Sequence, residues 1–414
     1  MSQKLAIEGG SPVRQEPFPA RIQIDEREIE AVLGLLRRVA EHGGAFDRYG
    51  GTEVDAYEQE FAAHVGTRFG TATSSGTASI HTALGALRLD IGSEIISAPI
   101  TDPGAVMPII WSNCIPVFAD VDPETVNMDP KSVAERITDR TRAIIVCHLA
   151  GQPADIDPIL ELAAKHNLYV IEDCAQAHDA EYKGRKVGSM GHLAAFSLMS
   201  GKHSTAGGQG GMVLTNDEEL YWNAKRFADR GKPFNSDEGS NLFLGMNYRM
   251  TELQGAIGRV QLQKLPDIVN ARRRAVSMIR ERTQDLQAIK LGKVLEDTNP
   301  AYWFLFLRVY QERLRVPKAD VAAALRAEGL PVSANYAMVM PDAYWMQHRN
   351  TYGQSRCPWS CPYYGREINY EGMLPNAHLA RENHMTLAVH ECYGEKEAED
   401  IAAALRKIEA AYLK

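Results

Sequence analysis

Lys202 closes the run Ala194-Ala195-Phe196-Ser197-Leu198-Met199-Ser200-Gly201-Lys202. An amine set directly beyond an apolar strand loses hydration. Its neutral form is then favoured, and it becomes a nucleophile that can form a Schiff base with a carbonyl. Upstream, Val170-Ile171-Glu172-Asp173-Cys174-Ala175-Gln176-Ala177-His178 ends an apolar run in adjacent carboxylates. A carboxylate at a strand end can hold a proton on a ring nitrogen or on an imidazole. Further upstream, Ser74-Ser75-Gly76-Thr77 opens a helical pattern. Small hydroxyl and glycine residues there leave backbone N–H groups free at the positive end of a helix, which suits a phosphate. Downstream, Gly207-Gly208-Gln209-Gly210-Gly211 allows a tight turn before the next apolar run. A strand rather than a helix follows it, so it does not read as a nicotinamide-binding G-x-G-x-x-G.

Each segment has an ordinary structural explanation when taken singly. A lone Lys is usually a solvated surface residue. Adjacent carboxylates make ion pairs or caps, and a Ser before a helix is a common N-cap. The ordered combination carries the argument. A phosphate loop, then a strand-end Asp, then a post-strand Lys suggests pyridoxal phosphate on an α/β sheet, a cofactor that needs all three.

The elements that must position these groups are visible as periodicity. Apolar runs at Glu94–Ala98, Ile115–Ala119, Ala143–His148, Tyr169–Glu172, Ala194–Met199 and Met212–Thr215 alternate with amphipathic segments such as Ser75–Arg88, Pro130–Ile137 and Pro158–His166. That alternation predicts an α/β fold, a mainly parallel sheet with helices on both faces. Ligands bind beyond the carboxyl ends of such strands. Helical patterns also cover Asp25–Glu41, Val54–Val65 and Thr251–Thr283. After that come one strand (Tyr302–Val309), one helix (Lys318–Glu328) and a terminal helix (Glu395–Tyr412). Residues 331–375, rich in Pro, Tyr and Trp, resist assignment. The expected division is an N-terminal arm (1–24) lying on a neighbour or on the body, a large domain (25–280) and a small α+β domain (281–414).

Composition excludes several classes. The 414 residues carry a net charge of −8 with no dense basic run, which argues against a nucleic-acid role. No apolar stretch of the ~18 residues needed to span a membrane occurs. The first residues lack the apolar core of a signal peptide, and six Cys are too sparse for a disulfide scaffold. The expectation is a cytoplasmic protein with reduced thiols. Cys357 and Cys361, with His378, His384 and His390 beyond them, lack the second paired block that a zinc site needs, so no metal is expected. Cys174 reads as a small buried residue. No G-x-S-x-G elbow supports hydrolase chemistry.

The blocks SSGTASIHTALGAL (74–87), IPVFADVDPETVNMDP (115–130), HLAGQPADIDPI (148–159), VIEDCAQAHDAEYKGRKVGSMG (170–191), AAFSLMSGKHSTAGGQGG (194–211) and NYRMTELQGAIG (247–258) occur in one order. In them the chain resembles the DegT/DnrJ-type sugar and cyclitol aminotransferases, pyridoxal-phosphate enzymes of fold type I. The resemblance implies a seven-stranded large-domain sheet, a smaller C-terminal domain, and a homodimer with shared active sites. It implies amino transfer from L-glutamine or L-glutamate to a keto-sugar or keto-cyclitol. By position, Lys202 is similar to the lysine that forms the Schiff base and shuttles the proton. Asp173 is similar to the partner of the pyridinium nitrogen, and Gln176 to the residue against the ring or its hydroxyl. Ser75, Gly76, Thr77 and Ser197 fall at the phosphate cradle. Asn247 falls where the family reaches the phosphate of the second subunit's site.

Two features depart from or refine the pattern. Asp102, in Pro99-Ile100-Thr101-Asp102-Pro103, stands where the family usually places an aromatic against the pyridine ring. The resemblance therefore implies weaker stacking and a more acidic cofactor site. Some relatives replace the lysine with His and dehydrate keto-sugars. Here the lysine is present and His203 lies one residue beyond it. Keto-sugar dehydration in the same fold, and a non-catalytic regulator that kept the fold, stand as alternatives. Met199-Ser200-Gly201 leans toward keto-cyclitol members that use glutamine. Tyr248 and Arg249 are candidates for substrate contact or interface pairing, and His148 and Gln152 for lining the site.

Overall fold

The structure, a computed structural model, describes residues 4–47, 51–336 and 338–414. The strands are β1 (Phe69–Thr73), β2 (Glu94–Ser97), β3 (Ile115–Phe118), β4 (Thr141–Cys147), β5 (Tyr169–Asp173), the short β6 (Glu181–Tyr182) and β7 (Arg185–Lys186), then β8 (Leu193–Ser197) and β9 (Gly211–Thr215). Seven of them form one sheet in the order β1-β9-β8-β5-β4-β2-β3. Only β9 runs against its neighbours β1 and β8; the remaining pairs are parallel. This is the seven-stranded, mainly parallel large-domain sheet that the resemblance implies.

The strands read as unbroken apolar runs because both faces are covered. Successive side chains point to opposite sides. Ile95, Ala143, Ile145 and Ala195 enter one core with Ile80 and Leu84. Ile96, Ile144 and Val146 enter another with Val133 and Ile159. The covering helices are α1 (Glu26–His42), α2 (Glu53–Val65), α3 (Gly76–Leu87), α4 (Met107–Trp111), α5 (Pro130–Arg136), α6 (Ile156–His166) and α7 (Glu218–Phe227). Short-range capping sets their ends: Asp25 accepts the N–H of Arg27 while Glu28 reaches back to the N–H of Asp25.

The 31-residue α8 (Glu252–Arg282), opened by a Thr251–Gln254 capping box, leads out of the sheet. Its Leu262, Leu265 and Val269 pack with α2 and the sheet, whereas Ala275, Val276 and Ile279 pack with a second core. That core is built on β10 (Ile289–Leu291), β12 (Phe304–Val309), β13 (Val332–Ser333) and β14 (His384–Ala388), ordered β10-β12-β14-β13; β11 (Thr298–Asn299) pairs with β6 instead. Helices α9 (Lys318–Ala327) and α12 (Glu395–Tyr412) cover it. Between them lie α10 (Tyr344–Gln347) and α11 (Pro375–Asn383). The segment that sequence periodicity left unassigned folds back onto the large sheet. Met340, Met346, Trp359 and Tyr364 join the β2–β4 core, and Tyr364 donates to Glu94 (3.0 Å).

The described part of the arm lies on the body of its own chain. The buried Glu328 carboxylate accepts the N–H groups of Ala6 (2.9 Å) and Val13 (3.0 Å), and Arg14 pairs with Asp400 (2.7 Å). Among the described residues, no helix is long and apolar enough to cross a membrane.

Candidate active site

Parallel strands β5 and β8 end side by side, with Asp173 opposite Ala195. Beyond these ends opens a cleft of about 280 Å³. Lys202, Asp173, Gln176 and Ser197 line it from the sheet side. Ser75, Gly76, Thr77 and Asp102 line it from the loops after β1 and β2. Of the residues assigned to the cofactor by position, Asn247 stands apart: it is exposed and bridges Asp229 outside the cleft of its own chain.

The N-terminus of α3 points into this cleft. Ser75 caps the helix: its hydroxyl accepts the N–H of Ala78 (3.1 Å). The first two N–H groups, on Gly76 and Thr77, have no carbonyl within the helix to bond to. Gly76 sits tightly against β8, because a Cβ on it would lie 2.6 Å from Ser197 Cβ. Only a glycine lets the helix end and the Ser197 hydroxyl come this close.

The adjacent carboxylates of β5 separate to opposite faces. Glu172, fully buried, accepts the N–H groups of Gly188 (2.8 Å), Met190 (2.8 Å) and Gly191 (2.7 Å). His148 accepts the Ala154 N–H at Nδ1, so its proton sits on Nε2 and is donated to Glu172 (3.1 Å). Burial acts to raise the Glu172 pKa, but His148 and the backbone donors outweigh it and hold the carboxyl below its ordinary value. Asp173 turns to the cleft. It accepts one hydrogen bond, from the Ala175 N–H (3.1 Å), and burial pushes its carboxyl up despite that bond and the charge of Lys202. Such a carboxylate gains from any cationic N–H brought against it.

Lys202 is buried, and burial lowers its ammonium pKa against the opposing charges of Asp173 and Asp102. Its loop is clamped from several sides. Arg21 donates to the carbonyls of Lys202 (2.6 Å) and His203 (2.9 Å), and Gln23 donates to Lys202 O (3.0 Å). The Trp303 indole N–H donates to Gly201 O (3.0 Å), and Lys202 Nζ lies 3.6 Å from the centroid of that ring. His203 is wholly buried with Nε2 against Ala301 O (3.0 Å), so it braces the loop and does not face the cleft.

The DegT/DnrJ/EryC1/StrS aminotransferase family profile matches residues 23–406. The chain belongs to this family of aminotransferases. The L-glutamine:2-deoxy-scyllo-inosose aminotransferase of Streptomyces paromomycinus is 32% identical over 351 residues, 82% of either chain. The GDP-perosamine synthase of Caulobacter vibrioides is 38% identical over 281 residues, 68% of this chain and 75% of that one. Among solved structures, an aminotransferase from Psychrobacter cryohalolentis superposes with a TM-score of 0.82 at 31% identity, covering 96% of this chain and 99% of that one.

Members of the family are pyridoxal-phosphate-dependent transaminases, and the cleft of this aminotransferase fits that group by its chemistry. Its lining combines free N–H groups and a hydroxyl for an anion, a buried carboxylate with spare acceptor capacity, and an amine of lowered pKa. Gln176 is fixed at both ends of its amide: Oε1 accepts the Ala150 N–H (2.8 Å), and Nε2 donates to Tyr336 (2.7 Å). The neighbouring Gly151 has φ +82°, and a Cβ there would strike the backbone of Tyr302 at 2.6 Å. Asp102, exposed at the cleft, caps a short turn by accepting the Gly104 N–H (2.8 Å) at Oδ1.

Other candidates resolve differently. His148 and Gln152 are buried beneath the strand ends and do not line the cleft. Tyr248 pairs with His81 (2.9 Å), and Arg249 with Asp229 (2.6 Å), both away from the cleft. Trp303 is the cleft residue that sequence reasoning passed over. It sits in a stretch read as strand, and its contact with the lysine loop spans 102 positions, so no local pattern marks it.

Proposed function

We propose that this protein transfers an amino group from L-glutamine or L-glutamate to a keto-sugar or keto-cyclitol, using pyridoxal 5′-phosphate held in the cleft. The observation that carries the reading is the meeting of Lys202, Asp173 and the N-terminus of α3 in one cleft of a chain belonging to this family. When bound, the cofactor supplies the carbonyl that receives the amine and the ring that draws electrons from the reacting carbon. The N–H groups of Gly76 and Thr77 and the Ser197 hydroxyl hold the phosphate. Asp173 holds the proton on the ring nitrogen, which its burial and raised pKa favour. The Lys202 amine would hold the cofactor through its aldehyde and would move the proton at the substrate carbon. The fixed amide of Gln176 holds the ring's position.

The same reading includes a homodimer in which Asn247 reaches the partner's phosphate. Support comes from the exposed apolar residues just before it, Leu244 and Met246, which would otherwise face water. The lysine at position 202, together with a buried His203 that cannot replace it, favours transamination over dehydration. The test is spectroscopic. The loaded enzyme should lose its cofactor absorbance on addition of glutamine or glutamate and recover it with keto-cyclitols or nucleotide keto-sugars. A protein that stays colourless with added cofactor overturns the reading.

A further inference from the structure

Trp303 is held from three sides. Its indole N–H donates to Gly201 O (3.0 Å), its backbone N–H donates to Ala150 O (3.0 Å), and its carbonyl accepts from the buried Arg272 (3.2 Å). Tyr336 packs edge-on against the ring with centroids 6.2 Å apart. The indole is therefore fixed while one of its faces is turned to Lys202 Nζ, 3.6 Å from the centroid. A cation over an indole is stabilised by the ring quadrupole. The amine sits on a flexible four-carbon stem and can swing off that face, leaving it to another group.

The cleft around this face is amphipathic. Trp303 presents a flat apolar surface, whereas Asp102 and Gln209 line the same cleft with polar groups. The Asp102 carboxylate binds the Gly104 N–H through Oδ1, and Oδ2 makes no hydrogen bond among the described residues. A saturated polyhydroxylated ring has matching character, with C–H groups on its faces and hydroxyls around its rim. An open-chain keto acid has no such face.

We propose that Trp303 is the platform on which the acceptor's ring lies, with Asp102 accepting from its hydroxyls. The inference rests on the amino-transfer reading above and names the residues that select a ring acceptor. Trp303 acts by positioning and moves no proton.

The test uses full-length enzyme converted to its amine form, with cofactor absorbance followed on adding 2-deoxy-scyllo-inosose, a GDP-linked 4-keto-6-deoxysugar, or the open-chain 2-oxoglutarate. Trp303→Leu should raise the apparent KM for the accepted ring ketone about tenfold or more. The same change removes the indole N–H that clamps Gly201 O, so glutamate and 2-oxoglutarate conversion also slow, and the ring ketone should lose about tenfold more than they do. Trp303→Phe, which restores an aromatic face, should recover most of the loss. A second readout needs no turnover: the ring ketone should change intrinsic fluorescence in the cofactor-free wild type and not in Trp303→Leu. An unchanged KM for the ring ketone, or an equal loss with 2-oxoglutarate, overturns the platform while leaving amino transfer standing. A wild type that glutamine and glutamate fail to convert, or that responds to 2-oxoglutarate and to neither ring ketone, overturns the ring-acceptor reading and this inference with it.

Discussion

Two neighbouring carboxylates on one strand have opposite fates. Glu172 meets four donors and stays ionised, whereas Asp173 meets one and is pushed toward its neutral form. Their roles under substitution should differ accordingly. Glu172→Ala strips three backbone N–H groups and a buried imidazole of their acceptor, so the expected loss of unfolding free energy is about 3 kcal/mol, read by urea denaturation. Asp173→Asn should keep the fold and cut turnover by about 10²-fold or more, because the amide cannot hold a proton on the ring nitrogen. A rate near that of the wild type would move that role to another residue. Lys202→Ala should abolish turnover in a folded protein. Borohydride reduction of the loaded wild type followed by peptide mapping should place the cofactor on Lys202.

Among the elements, the N-terminus of α3 and the end of β8 act as one unit. The pair is set by a glycine with no room for a side chain: Ser197 Cβ would be 2.6 Å, and Ser197 Oγ 2.9 Å, from a Cβ on Gly76. Gly76→Ala should therefore push the helix end off Ser197 and weaken cofactor retention, with a tenfold or greater rise in the concentration needed for loading. Equilibrium dialysis read by absorbance measures it. The lysine loop is an element of the same kind, held by Arg21, Gln23 and Trp303 from segments far apart in the chain and by its own His203 on Ala301 O.

The molecule as a whole carries imidazoles buried in neutral form. Burial lowers His81, His384 and His390 to about 4 and His178 to about 3. An unfolded chain has these groups near the ordinary 6.5. Between about pH 6.5 and 4 the unfolded state thus binds protons that the folded state refuses, and stability falls as pH drops through that window. Urea midpoints should decline steadily from pH 7 to pH 4.5; a flat profile would mean the imidazoles are not buried as described. At the same scale, the proposed dimer predicts complementation. Lys202→Ala and Asn247→Ala subunits, each inactive or weakened alone, should regain activity when refolded together, because one of the two sites in a mixed dimer is intact. Additive, unrecovered activity would assign Asn247 a role within its own chain.

Most of the large sheet was legible in the sequence. Its strands are short apolar runs covered on both faces, and period and capping are short-range signals: Asp25 and Thr251 mark the starts of α1 and α8 within the residues expected. The linear order of the 74–77 segment, Asp173 and Lys202 also pointed to the proposed chemistry, because the ends of parallel strands in one sheet must come together on one edge. Other features depended on packing between segments separated by 16 to 270 residues. The return of Tyr364 to Glu94, the contact of Trp303 with Lys202, and the capture of Glu172 by the 188–191 turn and His148 are examples. The sequence by itself determined the elements, their order and the reactive groups at their ends, since hydrophobic periodicity and backbone capping are local. Only the tertiary structure decided which carboxylate faces the cleft, which aromatic stands beside the amine and what clamps the lysine loop, since those contacts exist only when distant segments are packed against one another.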